Sequence, residues 1–409
     1  MVHPIEAPVD PTEALIDDVE AAGTSSKRSV VSRSIPAFLA RTPGRLKTYP
    51  FRDATCRCAA TARGLCLATV SLSFTVPTFK LESGQILPEL TLAYETYGRL
   101  GPDGRNVILV THGFTGNQRA AGKDPADPTA GWWDGLIGPG KAIDTDRYFV
   151  VSSNMLGSSF GSTGPATVNP RTGKPYGPDF PDITLRDIIG AQKLLLDDLG
   201  VARLVAVAGP SYGGYQAFQW AVTYPTFMRG IVPVVSAPKG SGGDAAVKTL
   251  QDRFATDPNW NGGRHYERGG IFPTLLELRI ETLTRYGQDA ALARTIADPE
   301  QRAARLRQIA EIWTRRFDPN SMVTLRKAAV GYDAERDFSR IGAKVLYVLS
   351  RTDKLFPPSI APAVMAKLAT AGVDATYFEI DTELGHSASG PEWAKWAPTL
   401  KDFLAKLES

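Results

Sequence analysis

The sequence predicts an α/β protein in which helices flank both faces of a mostly parallel sheet. Strand-like and helix-like segments alternate from about residue 76 to the C-terminus, which is the pattern of such folds. Several strand-like segments, such as NVILVT at 106–111, are continuously apolar, as expected for strands that are buried on both faces. A third observation is the pentapeptide Gly-Pro-Ser-Tyr-Gly at 209–213, which stands between an apolar run and a helix-like stretch.

The composition is that of a globular protein with one large core, or with a core and an inserted subdomain. Of the 409 residues 43% are hydrophobic, and the formal net charge is only +3. So small a charge gives no reason to expect nucleic acid or an anionic membrane surface as a partner. No apolar run approaches the roughly 20 residues that cross a bilayer. We therefore expect a soluble, cytoplasmic protein with neither a nucleic-acid nor a membrane partner.

The first 75 residues differ in composition from the rest. Residues 1–26 are acidic, whereas residues 27–63 are rich in arginine, lysine and serine and contain Asp53 as the only acid. An arginine-rich, acid-poor segment can be an organellar targeting peptide, although an acidic start is unusual for one. We expect residues 1–75 to be a disordered or targeting extension. It holds all three cysteines, which we expect to be free thiols: Cys56, Cys58 and Cys66.

The first part of the core is predicted at residues 76–237. It opens with an antiparallel pair of strands, 79–81 and 90–97. A helix is predicted at 183–199, where apolar residues recur at helical spacing and a glycine ends the pattern. The other strands are predicted from continuous apolar runs at 106–111, 148–152, 204–208 and 230–236.

Residues 238–339 are predicted to form a helical lid insertion, between the strand near 230–236 and the strand near 344–350. They show only helical and turn patterns, such as 275–286 and 299–317. An insertion at this point would cap the carboxyl edge of the sheet, where ligands bind in open α/β folds. The alternative is that it only adds bulk. The second part of the core, 340–409, contains strands at 344–350 and 375–380 and a helix at 393–407.

The pentapeptide predicts a nucleophile elbow with Ser211 at its apex. In this motif a strand ends, the chain turns sharply with the serine in a strained conformation, and a helix begins behind it. Glycines on both sides remove the side chains that would collide across the turn. The hydroxyl then lies exposed at the positive end of a helix, where it can act as a nucleophile that accepts an acyl group.

A serine nucleophile needs a general base, and that base needs an orienting acid. His386 follows the last predicted strand and is the predicted base, whereas His265 is assigned to an exposed turn. Asp353 follows the predicted strand KVLYVLS and is the predicted acid, with Asp381 as the competing acid. The chain order Ser211, Asp353, His386 is that of α/β-hydrolases.

The negative charge that develops during acyl transfer needs preorganised hydrogen-bond donors, usually two backbone amides. One predicted donor is the amide of Tyr212, the residue after the nucleophile. The other is the amide of Phe114, in the glycine-containing loop 112–116 that follows the strand 106–111. We expect His112 to hold this loop in place and not to act as a base.

Further motifs are spread over the core and the insertion: GWWD at 131–134, GPGKAIDT at 138–145, GSTGP at 161–165, NPRTGKPYG at 169–177, ITLRD at 183–187 and DPNW at 257–260. With the elbow and the triad, they make the chain from about residue 76 onward closely resemble the homoserine O-acetyltransferase family, serine acyltransferases of the α/β-hydrolase fold. The resemblance implies a ping-pong reaction in which Ser211 takes an acyl group from an acyl-CoA and passes it to a hydroxyl acceptor or to water. It also implies a homodimer that forms through the helical insertion.

Two positions depart from the family pattern where the substrate would be recognised. Family members that use homoserine typically carry an aspartate directly after the catalytic histidine, and that position is Ser387 here. They also carry an arginine six residues before an Asp-Pro pair, and that position is Gln251 here. Without both charged contacts, binding of a zwitterion should weaken by several kcal/mol. We therefore expect Ser387 and Gln251 to contact an acceptor other than homoserine.

The leading hypothesis is a serine acyltransferase with two small-molecule substrates, an acyl-CoA that donates an acetyl or short acyl group and a hydroxyl acceptor. The alternative is a carboxylic-ester hydrolase with the same triad, because His-Gly-Phe at 112–114 and Gly-His-Ser at 385–387 are typical of ordinary hydrolases of the fold. A third is a non-catalytic binding protein, since a fold does not fix a function. No cluster of histidine, cysteine and carboxylate has metal-ligand spacing, so we expect neither a metal nor a bound organic cofactor.

Overall fold

A computed structural model describes residues 71–124 and 127–408 of the chain. At its centre is a sheet of eight strands, numbered β1 to β8 in chain order: Leu72–Val76, Leu90–Tyr97, Val107–Thr111, Phe149–Ser153, Leu204–Pro210, Met228–Val234, Lys344–Ser350 and Ala375–Ile380. Across the sheet the strands follow the order β1-β2-β4-β3-β5-β6-β7-β8. Strands β3 to β8 are parallel, and β2 pairs antiparallel with both β1 and β4. The predicted fold class is confirmed.

Nine α-helices occur in the described part of the chain. In chain order, α1 to α9 are Leu185–Asp198, Tyr212–Thr223, Gly243–Ala255, Phe272–Arg285, Gln288–Ala293, Pro299–Thr314, Pro319–Val330, Ala361–Thr370 and Trp393–Lys406. Within these residues no helix is long and apolar enough to cross a membrane.

Strand β7 shows how the sheet forms the middle layer of the core. Its residues alternate between two apolar clusters, because successive side chains of a strand point to opposite faces. Tyr347 and Leu349 pack in the cluster that includes residues of α1, α2 and α8. Leu346 and Val348 pack on the other face, against α9. All four side chains are buried, which explains why β7 is continuously apolar in sequence.

The edge of the sheet differs from the prediction. The partner of β2 is β1, whereas the segment Phe79–Lys80 pairs with Ile86–Leu87 in a separate two-stranded sheet. The reason is a tight turn, in which Gly84 has a φ of 87°, because such a turn pairs the segments that directly flank it. The main sheet therefore begins at Leu72, inside the predicted extension. Of that extension, residues 1–70, with the three cysteines and the targeting prediction, lie outside the described part of the chain.

Helices α3 to α7 lie in the chain between β6 and β7, in the segment predicted as a helical insertion. Sequence patterns predicted α4 and α6 but did not delimit α3, α5 or α7. The insertion has two apolar clusters of its own, one of which includes the side chain of Phe114 from the core. Helix α7 also contacts the elbow region, since the hydroxyl of Tyr212 donates a hydrogen bond to the carbonyl of Leu325 (3.0 Å).

His265 is buried in the insertion, with 6% of its surface exposed, so its assignment to an exposed turn is wrong. Its Nε2 lies 3.1 Å from Oδ1 of Asp318, and its ring stacks on Trp260 at 5.7 Å. The hydroxyl of Tyr266 donates to the other oxygen of the same carboxylate (2.9 Å). The surrounding Asn-Gly-Gly sequence is typical of a surface turn, but Trp260 and the start of α7 cover the histidine.

Candidate active site

Ser211 lies at a sharp turn between β5 and α2. Its φ of 56° and ψ of −122° are rare for a residue with a side chain. The flanking glycines are required by close packing: a Cβ at Gly209 or Gly213 would lie 2.3 or 2.1 Å from the carbonyl oxygen of Thr111. Because only glycine avoids this clash with β3, the sequence pattern of an elbow follows directly from the geometry of the turn.

Hydrogen bonds to strand β6 and the residues after it hold Ser211 in this conformation. Its amide donates to the carbonyl of Val234 (2.8 Å). Its carbonyl accepts from the hydroxyl of Ser236 (2.7 Å). The same carbonyl also accepts from the amides of Gly214 (2.8 Å) and Tyr215 (3.3 Å) in the first turn of α2. Both main-chain groups are thus satisfied, and Ser211 lines a cleft.

Asp353 and His386 meet at the carboxyl ends of β7 and β8. Nδ1 of His386 donates to Oδ2 of Asp353 over 2.9 Å, and both side chains are buried. The other carboxylate oxygen accepts from the amides of Leu355 (2.8 Å) and Phe356 (3.2 Å). This fixes the acid, which in turn orients the imidazole and leaves Nε2 as the ring nitrogen that can act as the base.

The competing acid lies apart from this arrangement. Asp381 is exposed, and its carboxylate accepts from Nε of Arg351 over 2.6 Å. The loop that carries His386 is instead tied to the β7 loop. The hydroxyl of Ser350 donates to the carbonyl of Gly385 (2.8 Å), and the amide of that glycine donates to the hydroxyl of Thr352 (3.1 Å).

Ser211 and His386 line one cleft of about 750 Å³ at the carboxyl edge of the sheet. The loop 112–116, which we call the oxyanion loop, lines the same cleft. A Cβ at Gly113 would lie 3.6 Å from Cβ of Ser211, so the loop passes directly beside the nucleophile. The amide of Tyr212 is the first of helix α2, and such amides have no partner within the helix.

His112 anchors the start of the oxyanion loop. Its Nδ1 lies 2.8 Å from the carbonyl oxygen of Gly113, and its Nε2 lies 2.8 Å from Oδ1 of Asn154. The side chain is 1% exposed. Burial lowers the pKa of His112 below its ordinary value, against the opposing effect of these two hydrogen bonds. With both ring nitrogens engaged away from Ser211, this histidine is suited to hold the loop.

The two residues predicted to contact the acceptor are not together. Ser387 lines the cleft next to His386, and its amide donates to the carbonyl of Tyr286 (2.9 Å). Gln251 is exposed on α3 and lines a different cleft, with Val247 and Lys327. Its assignment to the acceptor site is therefore corrected: counting residues along the chain identifies a position on a helix but not the face that the helix presents.

The side chains that form the rest of the cleft were missed as site residues, although the GWWD motif is a sequence signal for two of them. Aromatic and apolar residues predominate: Trp132, Trp133, Val235, Tyr286 and Trp393. Of the described residues that line this cleft, the acidic and basic ones other than histidine are Asp134 and Lys141. These two pair with each other, with Nζ of Lys141 3.9 Å from the Asp134 carboxylate.

Sequence comparison finds similar proteins over most of the chain. Residues 106–389 match the model of the alpha/beta hydrolase fold family. The chain is 40% identical over 353 residues to homoserine O-acetyltransferase of Symbiobacterium thermophilum, covering 80% of this chain and 92% of that protein. It is also 40% identical over 352 residues to homoserine O-acetyltransferase of Geobacter sulfurreducens, covering 80% of this chain and 95% of that protein.

Two solved structures are similar in fold and in sequence. The crystal structure of esterase E22 has a TM-score of 0.75 and 31% identity, and the match covers 82% of this chain and 100% of the esterase chain. The structure of homoserine O-acetyltransferase from Bacillus anthracis has a TM-score of 0.74 and 30% identity, covering 82% and 98%. Of these two structures, one is thus named as a transferase and the other as an esterase.

Proposed function

Because this chain belongs to the homoserine O-acetyltransferase family of α/β-hydrolase-fold enzymes, we propose that Ser211 carries an acyl group from a donor to a hydroxyl acceptor. One observation carries the proposal. The strained Ser211 shares a cleft with His386, whose other nitrogen is bound to a buried carboxylate, that of Asp353. This is the arrangement that nucleophilic acyl transfer by a serine requires.

In the first half-reaction, the hydroxyl oxygen of Ser211 attacks the carbonyl carbon of an acyl-CoA thioester while Nε2 of His386 takes the proton. The amides of Phe114 and Tyr212 stabilise the negative oxygen of the tetrahedral intermediate. Asp353 keeps the imidazole in the correct tautomer and stabilises its charged form. When the intermediate collapses, His386 returns the proton to the departing thiolate, and an acyl ester of Ser211 remains.

In the second half-reaction, the acceptor hydroxyl takes the place of the thiol. Nε2 of His386 removes its proton while the acceptor oxygen attacks the acyl ester, and the same two amides bind the oxyanion. Collapse of this intermediate releases the new ester and returns the proton to Ser211. Side chains and backbone amides of the chain thus supply each step, and we propose that acyl-CoA serves as co-substrate.

The acceptor in this proposal is a hydroxyl compound other than homoserine. A free amino acid carries an ammonium and a carboxylate. Each group loses hydration when it enters a cleft, and this costs free energy unless a group of opposite charge in the protein compensates for it. The charged pair in the cleft, Asp134 and Lys141, is already mutually engaged, and Ser387 presents a neutral hydroxyl beside His386. An uncharged acceptor fits the aromatic walls formed by residues such as Trp132 and Trp393.

A carboxylic-ester hydrolase is the second candidate. It is favoured by the similarity to esterase E22, at 31% identity and a TM-score of 0.75. The chemistry up to the acyl-Ser211 intermediate is the same, and water then replaces the acceptor. The two candidates therefore differ only in which nucleophile reaches the acyl ester first.

The experiment that tests the proposed machinery compares substitutions of the two acids. Asp353→Asn should lower kcat for hydrolysis of 4-nitrophenyl acetate by up to about 10⁴-fold, because it stabilises the wrong tautomer of His386. Asp381→Asn is the matched control and should leave kcat unchanged, since Asp381 pairs with Arg351 at the surface. Ser211→Ala should abolish labelling by a fluorophosphonate. Acyl-CoA turnover that survives Ser211→Ala would show that the mechanism is wrong.

A further inference from the structure

Two helices of the insertion donate hydrogen bonds to Thr115 of the oxyanion loop, beside the apolar packing of Phe114 against the insertion. Nη1 of Arg279, on α4, donates to the hydroxyl of Thr115 over 2.9 Å. Nε1 of Trp313, on α6, donates to the carbonyl of Thr115, also over 2.9 Å. Thr115 directly follows Phe114, whose amide is the proposed oxyanion donor, so both hydrogen bonds act one residue away from that amide.

The two donors also support each other. The guanidinium of Arg279 lies over the ring of Trp313, 4.4 Å from its centre, at cation–π distance. Burial lowers the pKa of Arg279 to about 10, so the group remains charged at neutral pH. Arg279 has no carboxylate partner among the described residues, in contrast to Arg253 of the same insertion, which pairs with Glu281 at 2.8 Å. The guanidinium of Arg279 instead donates its hydrogen bond to the oxyanion loop.

The same helix reaches the histidine loop two turns further on. Tyr286 is the C-cap of α4 and keeps helical backbone angles, seven residues after Arg279, and residues at that spacing lie on one face of a helix. The ring of Tyr286 packs on His386 with the ring centres 4.8 Å apart. Its carbonyl accepts the amide of Ser387 (2.9 Å). Helix α4 and its C-cap therefore contact the oxyanion loop and the loop that carries His386.

We propose that Arg279 and Trp313 are positioning residues that hold Thr115, and through it the Phe114 amide, in the orientation that binds the oxyanion. This inference rests on the proposed function of Ser211. Oxyanion stabilisation depends on donors that are already fixed at about 2.7–3.1 Å from the developing charge. In this proposal the insertion completes the oxyanion hole, and its residues Tyr286 and Gln288 also line the cleft.

The test measures kcat and KM for 4-nitrophenyl acetate in the full-length protein. Thr115→Val removes the hydroxyl but keeps the shape, and Arg279→Leu removes its donor. Trp313→Phe removes the indole N–H but keeps a ring beneath Arg279. We expect each variant to lower kcat about tenfold or more, with KM within about twofold of wild type, because the oxyanion is bound only in the transition state.

Two comparisons separate positioning from a general structural role. Thr115→Ser restores the hydroxyl and should restore kcat to within about threefold of wild type. The double variant of Thr115→Val and Arg279→Leu should be no slower than the slower single variant, because each substitution removes the same hydrogen bond, that between Arg279 and Thr115. Arg315→Leu is the control: Arg315 is exposed, and its guanidinium also lies over a ring in the insertion, that of Phe272, at 4.9 Å. Its kcat should stay within about twofold.

The proposal is overturned if Thr115→Val and Arg279→Leu both keep wild-type kcat, if their losses multiply in the double variant, or if Arg315→Leu loses as much. Thermal unfolding identifies a variant that fails to fold. If one does, the comparison of kcat between Thr115→Val and Thr115→Ser decides whether the Thr115 hydroxyl has the positioning role. Failure of the proposed function gives a different result: wild type itself would neither hydrolyse the ester nor react with a fluorophosphonate at Ser211, and the positioning role would fall with it.

Discussion

At Ser211 the backbone adopts a conformation that costs of order 1–3 kcal/mol for a residue with a side chain. The surrounding structure offsets this cost with two hydrogen bonds: the Ser211 amide donates to the carbonyl of Val234, and the side-chain hydroxyl of Ser236 donates to the Ser211 carbonyl. Close contact between the elbow and β3 fixes the turn from the other side. The strain is local, and its consequence is a hydroxyl that faces the cleft at the start of α2.

The elbow glycine Gly213 should not tolerate a side chain. A Cβ there would lie 2.1 Å from the carbonyl oxygen of Thr111, which is main chain and cannot rotate away. We expect Gly213→Ala to lower the free energy of unfolding by about 1–3 kcal/mol, as other overpacked cores do. Gly331→Ala is the control, because a Cβ there meets nothing within 4 Å, and it should change stability by about 0.5 kcal/mol or less. Urea unfolding measures both, and equal losses would contradict the packing argument.

Ser387 should determine whether homoserine can act as acceptor. Ser387→Asp places a carboxylate beside His386, and a charge-assisted hydrogen bond to the homoserine ammonium is worth about 1.5–3 kcal/mol. We expect kcat/KM for acetyl transfer to homoserine to rise by about 10- to 100-fold. Ser387→Asn has nearly the same shape without the charge and is the control. If the asparagine variant gains as much as the aspartate variant, charge is not what excludes homoserine.

At the scale of elements, two helices of the insertion begin with the same N-cap sequence, but the burial and the contacts of the two N-cap residues differ. Helices α6 and α7 each have an aspartate N-cap followed by proline, Asp298 and Asp318. Asp298 is exposed, whereas Asp318 is buried and also binds His265 and Tyr266. One carboxylate thus joins the start of α7 to the buried histidine of the preceding segment.

The stability of α7 should therefore depend on Asp318 far more than α6 depends on Asp298. Asp298→Ala should cost about 1 kcal/mol, the usual contribution of an N-cap. Asp318→Ala should cost about 3 kcal/mol, because it also leaves the buried imidazole of His265 and the hydroxyl proton of Tyr266 without their carboxylate acceptor. Denaturant unfolding of both variants checks this. Equal losses would mean that His265 and Tyr266 find other partners in the folded state.

At the scale of the whole molecule, apolar periodicity was sufficient to predict the parallel part of the sheet. Strands β7 and β8 have the bounds predicted for them. For β7 the reason is that a strand covered on both faces is continuously apolar; β8 is an edge strand with only Ile380 buried. The opposite edge was not predictable in this way. Strand β1 reads LSFTV and has only one fully buried residue, so its pairing with β2 depends on contacts remote in sequence.

The order of Ser211, Asp353 and His386 could be predicted because each follows a recognisable strand or motif, and such ends meet at one edge of a parallel sheet. The surroundings of Gln251 and His265 could not be predicted from the sequence. Whether a helical residue faces a cleft, or whether a turn is covered, depends on how the insertion packs, and that is set by side chains from several helices. The contacts of Arg279 and Trp313 with Thr115 are of the same kind, since about 160 to 200 residues separate the partners.

The most direct test of the central claim is to load the enzyme with acetyl-CoA, quench it, and locate the acetyl group by peptide mass spectrometry. We predict acetylation at Ser211 and none in Ser211→Ala. The loaded enzyme is then mixed with homoserine or with an uncharged alcohol at equal concentration. Faster discharge to the alcohol is the predicted result. An acetyl group on another residue, discharge to water alone, or faster discharge to homoserine would contradict the account.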